Sequence, residues 1–149
     1  MGSLADLNGR RVYLDANVFI YGLERNLPPF DHVAAGVLRA VEEGAFDAVT
    51  SELSLAECLV KPFQTGSRES VEVYEQSIRS RRRFTVLPIS RAILVEAAHI
   101  RATSTAKLAD AIHVASSRSQ NCDLFLTNDQ RLRSVPALNC VLLAEFDAG

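Results

Sequence analysis

At 149 residues, 48% of them hydrophobic and 23% charged, the chain has the composition of one globular domain, long enough to bury a core without disulfides or a structural metal. A net charge of −2 argues against a protein that coats nucleic acid through bulk electrostatics, but not against one that works through a metal in an acidic pocket. No apolar run approaches the roughly 20 residues of a membrane span, the start MGSLADLNGRR lacks the order of a signal peptide, and a cytoplasmic protein is expected.

In chain order, Arg11 to Glu24 (RVYLDANVFIYGLE) reads as a short strand, Val12 to Leu14, running into Asp15 and then a helix. Phe30 to Glu43 places Val33, Val37, Leu38 and Val41 on one helical face, with Gly44 as its stop. Phe46 to Thr50 is a second strand, after which Ser51 or Ser54 caps a helix that Pro62 is expected to end. Ser67 to Arg82 has helical spacing, Phe84 to Pro88 is a third strand, and Ser90 opens another amphipathic helix. Lys107 to Ser119 is an alanine-rich helix, Asp123 to Thr127 a fourth strand and Cys140 to Leu143 a fifth. Strands alternating with helices, without repeats or a linker, predict a single domain over 1–149, a three-layer α/β/α sandwich with a mainly parallel five-stranded sheet. The loops near Pro28 and Pro29, Gln64 to Ser67 and Thr103 to Thr105 are expected to be the most exposed.

Cys58, Cys122 and Cys140 are widely spaced and form no CxxC pair, which predicts reduced thiols. His32, His99 and His113 show no ligand spacing and read as solvated or satisfied side chains.

Acids recur at comparable places. Asp15 and Asp129 follow strands at their carboxyl ends, the edge where open parallel sheets bind ligands. Each is also a plausible helix cap. Glu57 lies among Leu53, Leu55, Leu59 and Val60; Ser54 to Glu57 also fits a capping box. Asp110 sits within Leu108, Ala109, Ala111, Ile112 and Val114, where an unpaired carboxylate is costly, and Lys107 is its local alternative partner. Gathered at one rim, two carboxylates about 5 Å apart would repel by roughly 3 kcal/mol at an effective dielectric of about 20. A held proton or a hard divalent cation relieves this, and oxygen-only ligands point to Mg²⁺ or Mn²⁺. Such ions activate water and steady a leaving oxygen in phosphodiester hydrolysis. With neither GxxxxGK[ST] nor GxGxxG in the chain, the phosphate is expected in a polymer.

The ordered set YLDANVFIY, SLAECL, LADAIHVAS and FLTND resembles the PIN domain, the fold of VapC-type toxin ribonucleases, from about Arg11 to Leu143. The resemblance implies an endoribonuclease acting on single-stranded RNA with one or two Mg²⁺ or Mn²⁺ ions. It maps Asp15, Glu57, Asp110 and Asp129 onto the catalytic, metal-binding cluster, with Asn17, Thr127 and Asn128 as polar supports. It also implies a homodimer and an antitoxin partner. The family often has Thr or Ser after the first Asp, where this chain has Ala16.

RNA also requires cations. Arg131 and Arg133, just past Asp129, are the candidates nearest the acids, while the denser run Arg79 to Arg83 reads as a solvated helix end. Two other readings compete. A catalytically silent PIN-like module would bind RNA or protein without cutting. A phosphoacceptor enzyme of the haloacid-dehalogenase type would use Asp15 as nucleophile, although Asn17 stands where that chemistry wants a second Asp.

Overall fold

The computed structural model describes residues 2–147. Among them, five strands form one sheet: β1 (Arg11–Leu14), β2 (Asp47–Ser51), β3 (Phe84–Leu87), β4 (Leu124–Thr127) and β5 (Cys140–Leu142). The order is β3-β2-β1-β4-β5 and every pairing is parallel. The helices are α1 (Ala16–Glu24), α2 (Phe30–Glu42), α3 (Glu52–Thr65), α4 (Arg68–Ser77), α5 (Arg91–Thr103) and α6 (Leu108–Ser119).

Side chains of a strand alternate between faces, and here the alternation separates two cores. Val12, Leu14, Ala48, Leu124 and Leu126 join a core that includes Val18 and Phe19 of α1, Val33 and Val37 of α2, Cys58 of α3 and Tyr74 of α4. Tyr13, Val49 and Phe125 face the other way, onto Ile93 and Ala97 of α5 and Ala111 and Val114 of α6. The three expected layers follow. Buried on both faces, the sheet explains the nearly continuous apolar runs of VYL and LFL.

Chain order runs outward from β1 on one side and restarts at β4 on the other, so the strand order reverses between β1 and β4. The crevice outside the carboxyl ends of such a pair is where open α/β sheets bind ligands. Leu14 pairs with Leu126, and the next residue on each strand brings Asp15 beside Thr127.

Several local expectations were overruled. Pro62 does not end its helix: α3 continues to Thr65, Pro62 is buried within it, and the stop is Gly66 at φ +70°, with the Ser67 N–H returning to the Pro62 carbonyl at 2.9 Å. A helix-interior proline costs roughly 3 kcal/mol, and tertiary packing overrides that local penalty here. The helix expected over 67–82 ends at Ser77, because Arg81 to Phe84 form a tight bridge with Arg83 at φ +62°. Arg79 to Arg83 therefore precede β3, at the amino-terminal edge of the sheet and away from the carboxyl ends. The capping box from Ser54 to Glu57 is absent, since the buried Ser54 hydroxyl bonds Thr50 at 2.7 Å. The loops expected to be exposed are largely so. No helix among the described residues is long and apolar enough to cross a membrane.

Candidate active site

Asp15 ends β1 and caps α1, its Oδ1 accepting the Ala16 N–H at 2.8 Å. Its Oδ2 accepts the Thr127 hydroxyl, also at 2.8 Å. The Thr127 oxygen in turn accepts the Asn17 side-chain amide and the Asp129 N–H, each at 3.1 Å. The Asn128 N–H donates to Asn17 Oδ1 at 3.2 Å, closing a polar brace between α1 and the end of β4. The three supporting residues expected from the sequence thus all lie around the first acid.

Glu57 projects from α3, partly exposed, and His113 of α6 holds it: Nε2 lies 2.5 Å from Glu57 Oε1 and 3.5 Å from Asp15 Oδ1. The ring's other nitrogen, Nδ1, is 2.8 Å from the Tyr13 hydroxyl, which donates to Ser51 at 2.9 Å. Burial raises the Tyr13 phenol well above its ordinary range, so it stays neutral and serves only to orient the ring. Burial by itself disfavours a charged His113, but Asp15, Glu57 and Asp110 outweigh it and raise the imidazole above its ordinary value. His113 is a satisfied histidine as expected, but the sequence reading did not place it beside the acids. The signal was its position three residues after Asp110, which puts both on one face of α6.

Asp110 and Asp129 form the other half. Burial, then the charges of Asp15 and Asp129, raise the Asp110 carboxyl above its ordinary value. Arg131 lowers Asp129 through hydrogen bonds: Nε lies 3.0 and 3.1 Å from the two carboxylate oxygens and Nη2 2.6 Å from Oδ2. Asp129 also accepts the Arg131 N–H at 3.0 Å, so the cap expected of it exists as well. Arg131 Nη2 lies 3.8 Å from Asp110 Oδ2. Arg133 is ion-paired with Glu145. Neither arginine is thus a free cation facing the acids. Lys107, at the amino end of α6, has no ion pair among the described residues, and with Asp110, Arg131 and Arg133 it lines a recess of about 570 Å³.

All four predicted acids therefore meet at the crevice between β1 and β4. One oxygen each of Asp15 and Glu57 and one nitrogen of His113 lie within 4.8 Å of one another, close to what ligands about 2.1 Å from a common ion span. Four carboxylates outnumber the neighbouring cations His113, Arg131 and Lys107, which fits a divalent ion. The nitrogen in this group, His113 Nε2, is already bonded to Glu57, so the oxygens of Asp15 and Glu57 are the donors it leaves for an ion.

The family model of the PIN domain matches residues 12–138. No curated protein matches the chain in sequence. Among solved structures, the chain is similar in fold to VapBC2 from Rickettsia felis bound to a DNA fragment from their promoter, at TM-score 0.69 and 14% identity over 89% of this chain and 98% of that one. It is also similar to VapBC-1 from nontypeable Haemophilus influenzae, at TM-score 0.64 and 20% identity over 90% and 98%. A third is VapC20 of Mycobacterium tuberculosis, a sarcin-ricin loop cleaving toxin, at TM-score 0.62 and 13% identity over 76% and 86%.

Proposed function

The chain belongs to the PIN domain family, and from that premise we propose that it is a metal-dependent endoribonuclease that hydrolyses phosphodiester bonds of single-stranded RNA. The observation that carries the proposal is the convergence of Asp15 and Asp129, just past the carboxyl ends of β1 and β4, with Glu57 of α3 and Asp110 of α6, at the reversal of strand order. Asp15 and Glu57 would hold Mg²⁺ or Mn²⁺, with Asp110 and Asp129 beside them and His113 as the neighbouring cation that orients Glu57. The ion would supply Lewis acidity and a water of lowered pKa.

The chain's own groups do the rest. Thr127 and the Ala16 N–H fix both oxygens of Asp15. Glu57, half open to solvent and oriented by His113, is placed to take the proton of the attacking water. The new bond is from that water's oxygen to phosphorus, the bond from phosphorus to a ribose oxygen breaks, and the departing oxygen takes a proton from solvent.

The missing hydroxyl at Ala16 motivates the reading as a silent binding module. The Thr127 hydroxyl already supports Asp15, which favours the enzyme. The crystal structures of VapBC complexes support the further reading of this chain as a toxin with an antitoxin partner.

Asp15→Asn and Asp110→Asn should each abolish Mn²⁺-dependent cleavage of mixed-sequence single-stranded RNA while leaving the circular dichroism spectrum unchanged. Full activity in either variant removes the assignment. Absence of cleavage by the parent chain at millimolar Mn²⁺ favours the silent module. A small reading frame beside the gene, encoding a DNA-binding head and a disordered tail, would support the toxin reading.

A further inference from the structure

We propose that Arg131 holds the place of a second metal ion, so that the acidic cluster takes one divalent cation, on its Asp15 and Glu57 side. This rests on the metal-dependent reading above and specifies how many ions that site accepts.

The cluster has two halves with different counter-charges. In the first, Asp15 and Glu57 face His113 with ligand atoms inside 4.8 Å of each other, and Glu57 is open to solvent, so an ion has both donors and a way in. In the second, both Asp129 oxygens are already occupied by the guanidinium, at 2.6 to 3.1 Å, and Oδ1 also accepts the Arg131 N–H. The same guanidinium reaches Asp110 at 3.8 Å. An arginine cannot lose its proton in a protein, so this positive charge is permanent. A second divalent ion between Asp110 and Asp129 would have to evict it.

The grip is also locally encoded. Asp129 caps the turn Gln130–Ser134 and Arg131 lies only two residues away. The pairing closes a very short loop, so little chain entropy opposes it. Thr127, donating to Asp15 and accepting the Asp129 N–H, keeps the two halves adjacent. Arg131 can therefore neutralise the second half while an ion occupies the first.

The test counts ions. The full chain, stripped of metal, is titrated with Mn²⁺ by calorimetry and by electron paramagnetic resonance, beside Arg131→Met, which keeps the aliphatic stem and removes the charge. The expected result is one Mn²⁺ per parent chain and two per variant. Two ions in the parent, or one in a folded variant, overturns the proposal and leaves the nuclease reading standing. Should the variant not fold, crystals of the parent soaked in Mn²⁺ decide: an ion at Asp15 and Glu57 with the guanidinium still on Asp129 supports the proposal, and an ion between Asp110 and Asp129 overturns it. No Mn²⁺ bound by the parent refutes the metal-dependent reading and this proposal together.

Discussion

The hydroxyl of Thr127 donates to Oδ2 of Asp15 at 2.8 Å, tying together the two strand ends that flank the reversal of strand order. The hydroxyl is fully buried and its oxygen accepts two further hydrogen bonds, so no water can substitute for it. Thr127→Val keeps the shape and removes the donor, leaving a buried carboxylate oxygen short of a partner. Loss of such an outer-shell partner lowers metal affinity or rate by about 10- to 100-fold, and a bond to a charged group contributes roughly 1.5 to 3 kcal/mol. Mn²⁺ titration, RNA cleavage and urea melts should show both effects, with Thr127→Ser restoring most of each. Unchanged affinity and rate in Thr127→Val would refute the role.

His113 links acid chemistry to stability in the metal-free protein. Its folded-state pKa is raised above the ordinary 6.5, because Asp15, Glu57 and Asp110 outweigh the opposing effect of burial. A raised pKa means that the stabilisation is fully present below about 6.5 and is lost as pH rises through the folded value. Thermal melts in chelator should therefore show a decline as pH rises above about 6.5 that His113→Asn lacks. Parallel pH profiles for the two proteins would show that the imidazole carries no net coupling.

Gly22 is where α1 meets α2. A Cβ there would lie 2.6 Å from Leu38 Cδ1 and 3.1 to 3.2 Å from the Ala34 carbonyl carbon and oxygen. Alanine would gain about 1 kcal/mol of helix propensity, but overpacking typically costs about 1 to 3 kcal/mol, and the Ala34 backbone cannot rotate away as Leu38 can. Gly22→Ala should lower stability by about 1 kcal/mol. Adding Leu38→Ala should relieve only the side-chain part, so a double-mutant cycle should return a coupling energy of the same sign as relief.

What could be read from the chain alone depended on range. Val12, Tyr13 and Leu14 sort themselves between two cores by a period of two, and Asp15 and Asp129 are marked by the strands that precede them, all within a few residues. Glu57 was ambiguous because a capping box is also local, and only its partner 56 residues away, His113, decides between them. His113 itself was invisible for the same reason. Pro62 misled because its penalty is local and the packing that overrides it is not. Arg131 and Arg133 were legible as cations near the acids, yet their pairing with Asp129 and Glu145 depends on side-chain geometry that spacing does not encode.

The cation for RNA is therefore expected to be Lys107. It is exposed at the amino end of α6 beside the recess that Asp110 lines, and among the described residues it has no ion pair. A lysine at a helix amino terminus is opposed by the helix dipole, by about 0.3 to 1 kcal/mol, and its ammonium, which also acts on Asp129 through space, is the exposed cation that an approaching phosphate meets there. Each phosphate contact to a single strand contributes about 0.7 to the slope of log affinity against log salt. Lys107→Ala, measured with single-stranded RNA in the Asp15→Asn background to prevent cleavage, should weaken binding and lower that slope by about 0.7. Arg133→Ala should change it less, because Arg133 must first give up Glu145. A slope unaltered by Lys107→Ala but lowered by Arg133→Ala would mean that the Arg133 pair opens on binding and that the RNA follows the other wall of the recess.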